Sequence, residues 1–169
     1  MDIELARAIP FLRDLTEDEL KVFAALLTVR ECQNDEIILE EGMKPKGFCV
    51  VSEGVVHVRR RGKSTRSMLL ARIGPGGFFS EINLFDPGVS TASIIARNKV
   101  RLAVISYEQF RAFMDEHPRA GYRIASALLT EVCRRLRDSS QRLAERVLEP
   151  EKKPPAPPVP PVPPVPVSP

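Results

Sequence analysis

Between Leu5 and Leu27 the apolar residues fall three and four apart: Leu5, Ile9, Leu12 and Leu15, then Leu20, Phe23, Ala24 and Leu27. That spacing predicts two short amphipathic helices, divided at Pro10, which cannot donate to a helical ladder. Thr16 with Glu19 forms a capping box, the hydroxyl accepting from first-turn amides and the carboxylate reaching back to the cap amide, so the second helix starts near Glu17. From Val29 to Ser106 the period changes to short runs of β-branched and apolar residues, punctuated by Gly42, Gly47, Gly54, Gly62, Gly74, Gly76, Gly77 and Gly88. This predicts strands over 29–33, 36–39, 47–52, 54–60, 67–73, 91–96 and 100–105, arranged as a barrel or sandwich. Ser106 with Gln109 opens another helix through Phe110 and Phe113. Pro118 suits the first position of a last helix running to about Leu148, roughly 45 Å long at 1.5 Å per residue.

On that last helix Tyr122, Ala125, Leu129, Val132, Leu136, Ser139 and Leu143 alternate by three and four, as the seam positions of a two-stranded coiled coil do. A stripe that packed only on its own barrel would end sooner; this one continues to Leu143 and Val147, so a parallel homodimer is expected. Its interface residues would be Tyr122, Ala125, Leu129, Val132, Leu136 and Leu143. Beyond Glu149 the chain becomes proline-rich, poor in amide donors and core-forming side chains. Residues 150–169 therefore predict an exposed polyproline II arm, either docking a partner protein in an aromatic-lined groove or serving as a passive spacer. Lys152, Pro155 and Pro158 match a basic-x-x-Pro-x-x-Pro pattern, which arises easily in such a sequence.

Composition narrows the function. With 169 residues and a 43% hydrophobic fraction, one core of about 150 residues is expected. A net charge of +3, well dispersed, does not by itself argue for nucleic acid. Cys32, Cys49 and Cys133 are odd in number and far apart, which fits free thiols in a reducing compartment. The acidic N-terminus is unlike a signal peptide, and no apolar run approaches a bilayer span, so a cytoplasmic location without membrane insertion is expected. His57 lies between valines and His117 precedes Pro118; neither has a companion at metal or triad spacing. The acidic pairs Asp18–Glu19, Asp35–Glu36 and Glu40–Glu41 fit helix starts and turns. No catalytic residue, metal or cofactor is assigned, and the chain reads as a non-enzyme. The basic run Arg59 to Arg66 reads as a solvated hairpin tip and receives no site.

The informative stretch runs Ile73-Gly-Pro-Gly-Gly-Phe-Phe-Ser-Glu-Ile-Asn-Leu-Phe-Asp-Pro-Gly-Val-Ser-Thr-Ala-Ser-Ile. Free amides at such a turn can form an anion nest, and Glu81 just inside it can accept from sugar hydroxyls, with Ile82, Leu84 and Phe85 anchoring the turn. With Glu-Glu-Gly42-Met, Val-Val-Ser-Glu-Gly54-Val-Val and the late Ser-Tyr-Glu-Gln-Phe, this stretch resembles the cyclic nucleotide-binding domain family, of the bacterial catabolite-activator type, from Pro10 to Leu148. The resemblance implies a mostly β fold with flanking α: an eight-stranded β-roll of jelly-roll type, N-terminal helices and a long C-terminal helix. The implied layout is helices over 1–28, the roll over 29–106, helices including the dimerisation helix over 107–149, and a proline-rich tail over 150–169.

In that family a phosphate-binding cassette carries a glycine, a glutamate for the ribose 2′-hydroxyl and, about nine residues on, an arginine for the cyclic phosphate. Glu81 matches and Thr91 fits the small residue after the arginine. The glycine position is Ser80 and the arginine position Ser90. The candidate ligand residues are Gly77, Phe79, Ser80, Glu81, Ile82, Ser90 and Thr91. Ser139 and Ser140, on the long helix after Cys133-Arg-Arg-Leu-Arg-Asp, resemble the family's pair that faces the base from both subunits. A guanidinium gives charge-assisted, often bidentate contacts to phosphate that one hydroxyl does not replace. A dimeric docking module with weak or lost nucleotide binding is therefore expected, a working cAMP or cGMP sensor being the alternative. Arg72, Arg97 and Lys99 are the cations that could substitute. DNA binding is not expected, because prolines stand where the family's regulators continue into a helix-turn-helix.

Overall fold

The computed structural model describes residues 3–62 and 67–148, with side chains through Glu145. The proline-rich segment, the tip of the basic run at 63–66 and the side chain of Val147 lie outside the described residues. The chain divides into two compact units, one through Val132 and the other from Cys133.

Helix α1 (Ile3–Arg7) is followed by a single 3-10 turn at Pro10–Leu12 and by α2 (Glu17–Leu26). The first predicted helix is thus shorter than its spacing suggested: Pro10 ends α1 as expected, but Leu15 falls in the turn before the Thr16 cap. That capping box is formed, with Thr16 Oγ1 accepting from Glu19 N at 3.3 Å and Glu19 Oε2 accepting from Thr16 N at 2.8 Å. Eight strands follow: β1 (Thr28–Cys32), β2 (Ile37–Leu39), β3 (Phe48–Glu53), β4 (Val56–Arg61), β5 (Ser67–Ile73), β6 (Phe78–Phe79), β7 (Ser93–Ala96) and β8 (Val100–Ile105). A one-turn helix α3 (Ile82–Phe85) stands between β6 and β7. Helices α4 (Tyr107–Glu116) and α5 (Pro118–Leu148) come last. The Ser106–Gln109 capping box opens α4, and Pro118 is the first residue of α5.

The strands form two antiparallel four-stranded sheets, β1-β8-β3-β6 and β2-β7-β4-β5. This is the expected eight-stranded roll. Sequence reading missed β6, whose two residues lie inside the glycine-rich stretch and pair with β3 through Cys49↔Phe79 and Val50↔Phe78. Strand β7 starts at Ser93 rather than Thr91 because Ser90 and Ala92 close a turn of their own. Strand β4 starts at Val56 rather than Gly54, since Gly54 holds φ +81° and an added Cβ would meet Lys99 O at 2.5 Å.

Sheet β1-β8-β3-β6 is covered on both faces. Phe48, Val50, Ala103 and Ile105 pack under the helices with Leu12, Phe23, Phe110, Phe113, Ile124 and Leu128, while Val51, Val100 and Leu102 meet Val56, Ile94 and Ala96 of the other sheet. On the opposite face of β2-β7-β4-β5 the side chains of Ile37 and Arg72 are exposed. In the first unit, Arg123 near the start of α5 chelates Glu19 at 2.8 and 2.9 Å and donates to Asp14 O at 2.7 Å, fixing α5 to the start of α2.

Glu19 therefore serves as both cap and counter-ion. Its pKa is lowered, first by the Thr16 amide and then by the Thr16 hydroxyl and Arg123, against the opposing cost of burial. A carboxylate held below its unfolded value contributes stability that is full above the ordinary glutamate range and lost as pH falls through the lowered folded value. Glu19→Gln should cost about 1 kcal/mol at neutral pH. The difference from wild type should shrink as pH drops below about 4, near the ordinary glutamate value. Urea melts at neutral and acid pH read this directly, and a pH-independent difference would contradict it.

Candidate functional site

The candidate site lies between β6 and β7. Val51 of β3 donates to Gly77 O at 2.8 Å and accepts from Gly76 N at 2.8 Å, so the glycine-rich turn is stitched to the roll's centre before β6 begins. Phe79 is buried between the sheets. The next residue, Ser80, adopts φ +65°, a left-handed conformation that a Cβ disfavours. This is the position at which the resemblance expected glycine: the backbone keeps a glycine-like shape around a serine.

Glu81 caps α3 from a helical conformation without a side-chain cap bond. Leu84 is buried beneath the turn, while Ile82 and Phe85 are exposed. The return loop is tied across by Asn83 Nδ2 donating to Gly88 O at 2.6 Å. Ser90 exchanges backbone bonds with the turn after β2, donating to Met43 O and accepting from Gly42 N, both at 2.8 Å. Its hydroxyl donates to Ala92 O at 2.6 Å, closing a local turn. Thr91 is exposed.

Two residues of α4 hold this segment at both ends. Tyr107 donates its hydroxyl to Ser80 O at 3.0 Å. Arg111 donates to Leu84 O at 2.8 and 3.1 Å and to Asn83 O at 3.3 Å, satisfying carbonyls at the C-terminal end of α3 that the short helix leaves unpaired. Burial raises the Tyr107 phenol to about 12, partly offset by its bond to Ser80, so it remains a donor across the physiological range. Neither residue was assigned to the site from sequence. Tyr107 stands inside the Ser-Tyr-Glu-Gln-Phe motif, which was available as a signal; Arg111 had none, because its partners are backbone oxygens 27 and 28 residues away.

The three cations considered as substitutes for a cassette arginine are placed elsewhere. Arg97 pairs with Asp35 at 2.7 Å and Lys99 with Glu31 at 3.0 Å. Arg72 lies opposite His57 on the outer side of the roll. Ser139 and Ser140 belong to the second unit, where both are exposed on α5. Cys32, Cys49 and Cys133 are free, and burial pushes the Cys49 thiol up to about 12. Among the described residues no group of His, Cys, Asp and Glu could hold a metal ion, and no helix is long and apolar enough to cross a membrane.

Residues 29–117 match the family model described as Cyclic nucleotide-binding domain. The chain belongs to the cyclic nucleotide-binding domain family. It is 30% identical over 108 residues to the CRP-like cAMP-activated global transcriptional regulator of Mycobacterium tuberculosis, covering 64% of this chain and 46% of that protein. The Thermus thermophilus Catabolite Activator Protein superposes with a TM-score of 0.69 at 25% identity, over 82% of this chain and 63% of that one. A cyclic nucleotide-binding domain from Methylobacillus flagellatus gives 0.75 at 21% identity, over 85% and 81%. The chain spans about half the length of the Mycobacterium tuberculosis regulator. Membership of this family, the β-roll and the flanking helices are thus as the sequence implied.

The strain at Ser80 and the α4 clamp together generate a prediction. Ser80→Gly should stabilise the protein by up to about 1 kcal/mol by relieving the left-handed Cβ. Tyr107→Phe should cost about 1 kcal/mol by leaving Ser80 O without its donor. Thermal and denaturant melts of the two variants should move in opposite directions; a destabilised Ser80→Gly would show that the hydroxymethyl group has a compensating contact.

Proposed function

We propose that this chain is a dimeric, non-enzymatic regulatory module that keeps the cyclic nucleotide-binding fold while its nucleotide binding is weak or lost, and that segment 150–169 recruits a partner protein. The observation that carries this reading is at position 90. By the family resemblance Ser90 takes the place of the phosphate-binding arginine, and its hydroxyl donates to Ala92 O. A charged hydrogen-bond partner is worth about 1.5–3 kcal/mol, so its loss lowers affinity by roughly ten- to more than a hundredfold. Since Arg97 and Lys99 are engaged by acids, they offer no replacement charge.

The sensor reading has its own support in Glu81, which keeps the position for a ribose contact at the start of α3, with Gly77, Ser80 and Ile82 around it. Ser90→Arg separates the two. In a cassette that is otherwise intact, the substitution should bring cyclic AMP or cyclic GMP affinity up by at least about tenfold in calorimetry. Adding Glu81→Ala should remove the gain. Unchanged affinity of Ser90→Arg would mean that the site has diverged beyond this position.

Dimerisation is supported by the division of α5 into faces. Ala120, Ile124 and Leu128 are buried in the first unit's core. Tyr122, Leu129, Leu136 and Leu143, each seven residues from the next, are 76%, 63%, 66% and 64% exposed. Ala125 and Val132 flank that stripe and are half-buried. The stripe is therefore distinct from the face used for the core, and a second copy presenting the same stripe would bury it. Cytoplasmic residence accords with the free thiols, among them the half-buried Cys49. Sedimentation should show a dimer at tens of micromolar, and Leu136→Asp, which places a charge in the seam, should shift it to monomer. A dimer unaffected by Leu136→Asp would place the interface elsewhere.

A further inference from the structure

Among the described residues of the first unit, the outer face of β2-β7-β4-β5 is used neither by the core clusters nor by the cassette. Strand β4 is central in this sheet, and Val56 and Val58 point inward to the inter-sheet core. His57 and Arg59 therefore stand on the outer face. Across the sheet, His57 is directly opposite Arg72 of β5 on one side and Ile95 of β7 on the other, with Ile37 of β2 beyond Ile95. Arg97 follows β7 and donates its amide to Val55 O at 2.9 Å, which sets it beside the same row. The result is a strip with an apolar half, Ile37 and Ile95, and a basic half built from Arg59, Arg72 and Arg97 around His57.

The charges on this strip are poorly compensated. Asp35 pairs with Arg97. Arg59 is held by neutral partners, Ser67 Oγ at 3.0 Å and Ser67 O at 3.2 Å. Arg72 has no acidic partner among the described residues. The nearby carboxylates of Glu40 and Glu41 are taken by Arg61 and Arg60. Three guanidinium groups against one carboxylate leave a formal charge of about +2 on a rigid face, a strongly attractive potential for an anionic group. The field is felt inside the cluster: burial first, then Arg97, Arg72 and Arg59, lower the pKa of His57. His57 Nδ1 is also buried without a hydrogen-bond partner.

We infer that this outer face is a docking surface for an acidic protein segment, its carboxylates meeting Arg59, Arg72 and Arg97 and its apolar side chains resting on Ile37 and Ile95. Charge complementarity selects an anionic partner. The mixed lining selects a polypeptide, which alternates carboxylate and apolar side chains at strand spacing. A single-stranded nucleic acid is disfavoured because Ile37, Ile95 and Ser93 supply no aromatic platform on which bases could stack. The inference is independent of whether the cassette binds nucleotide.

The test uses the full-length chain, isotope-labelled, and a short peptide alternating glutamate with valine. Amide shifts on titration should concentrate in β4, β5 and β7, and the affinity should fall as salt is raised. Arg72→Glu, at an exposed site without an acidic partner, should leave the melting temperature unchanged and weaken the peptide by about tenfold or more. The same peptide with lysine in place of glutamate should not bind. Peptide shifts that map elsewhere, no binding at millimolar peptide, or equal affinity in Arg72→Glu would overturn the proposal. So would tighter binding of an oligouridylate or of phosphatidylserine vesicles to this face, the first indicating a nucleic-acid surface and the second a membrane surface.

Discussion

Ring-to-ring contact among phenylalanines is the constraint on which the first unit depends. Six of the eight phenylalanines form a connected chain: Phe113 and Phe110 of α4 meet Phe23 of α2 at 4.9 and 5.3 Å, Phe110 meets Phe48 of β3 at 5.2 Å, and Phe48 meets Phe11 and Phe78 at 5.5 Å. These contacts are mostly edge-to-face, worth about 0.5–1.5 kcal/mol each beyond area burial. Their importance is geometric. Phe78 is in β6, at the start of the cassette, and Phe110 is in α4 between Tyr107 and Arg111. The cluster therefore sets the distance between the cassette and the helix that clamps it, and only at that distance can Tyr107 reach Ser80 O and Arg111 reach Leu84 O. A cassette held this way is shaped by the protein's own packing, including the left-handed backbone at Ser80. Retention of the shape and retention of the binding chemistry are then separate questions, and under the proposed function they part at position 90.

Much of the fold was legible in the sequence because its signals are local. Thr16–Glu19 and Ser106–Gln109 are capping boxes whose partners are three residues apart, and both are formed. Pro10 and Pro118 fix a helix stop and a helix start through a missing amide, again without tertiary help. Glycine-bounded apolar runs located seven strands. Strand β6 escaped because two residues carry no period, and its pairing partner is in β3, far away in sequence. Leu12 and Leu15 keep the helical spacing beyond Pro10, yet they fall in the 3-10 turn and in the turn that the Thr16 cap requires.

Ser80, Glu81 and Ser90 were assigned through the family resemblance, all within one continuous stretch, and the structure places that stretch between β6 and β7. The bond from the Ser90 hydroxyl to Ala92 O depends on a backbone turn that spacing does not encode. The α4 clamp and the basic strip around His57 were not found for a related reason. The clamp ends on backbone oxygens, and the strip takes Arg59, Arg72 and Arg97 from three different segments, aligned only by strand register.

Under the proposed function, a well-formed cassette without its counter-charge binds cyclic nucleotide poorly. The most direct measurement is isothermal calorimetry of the unmodified chain with cyclic AMP and with cyclic GMP at neutral pH and physiological salt. The predicted result is no saturable heat for either nucleotide up to about 1 mM, near −4 kcal/mol of binding free energy. A dissociation constant below about 10 μM for either one, roughly −7 kcal/mol, would contradict the claim.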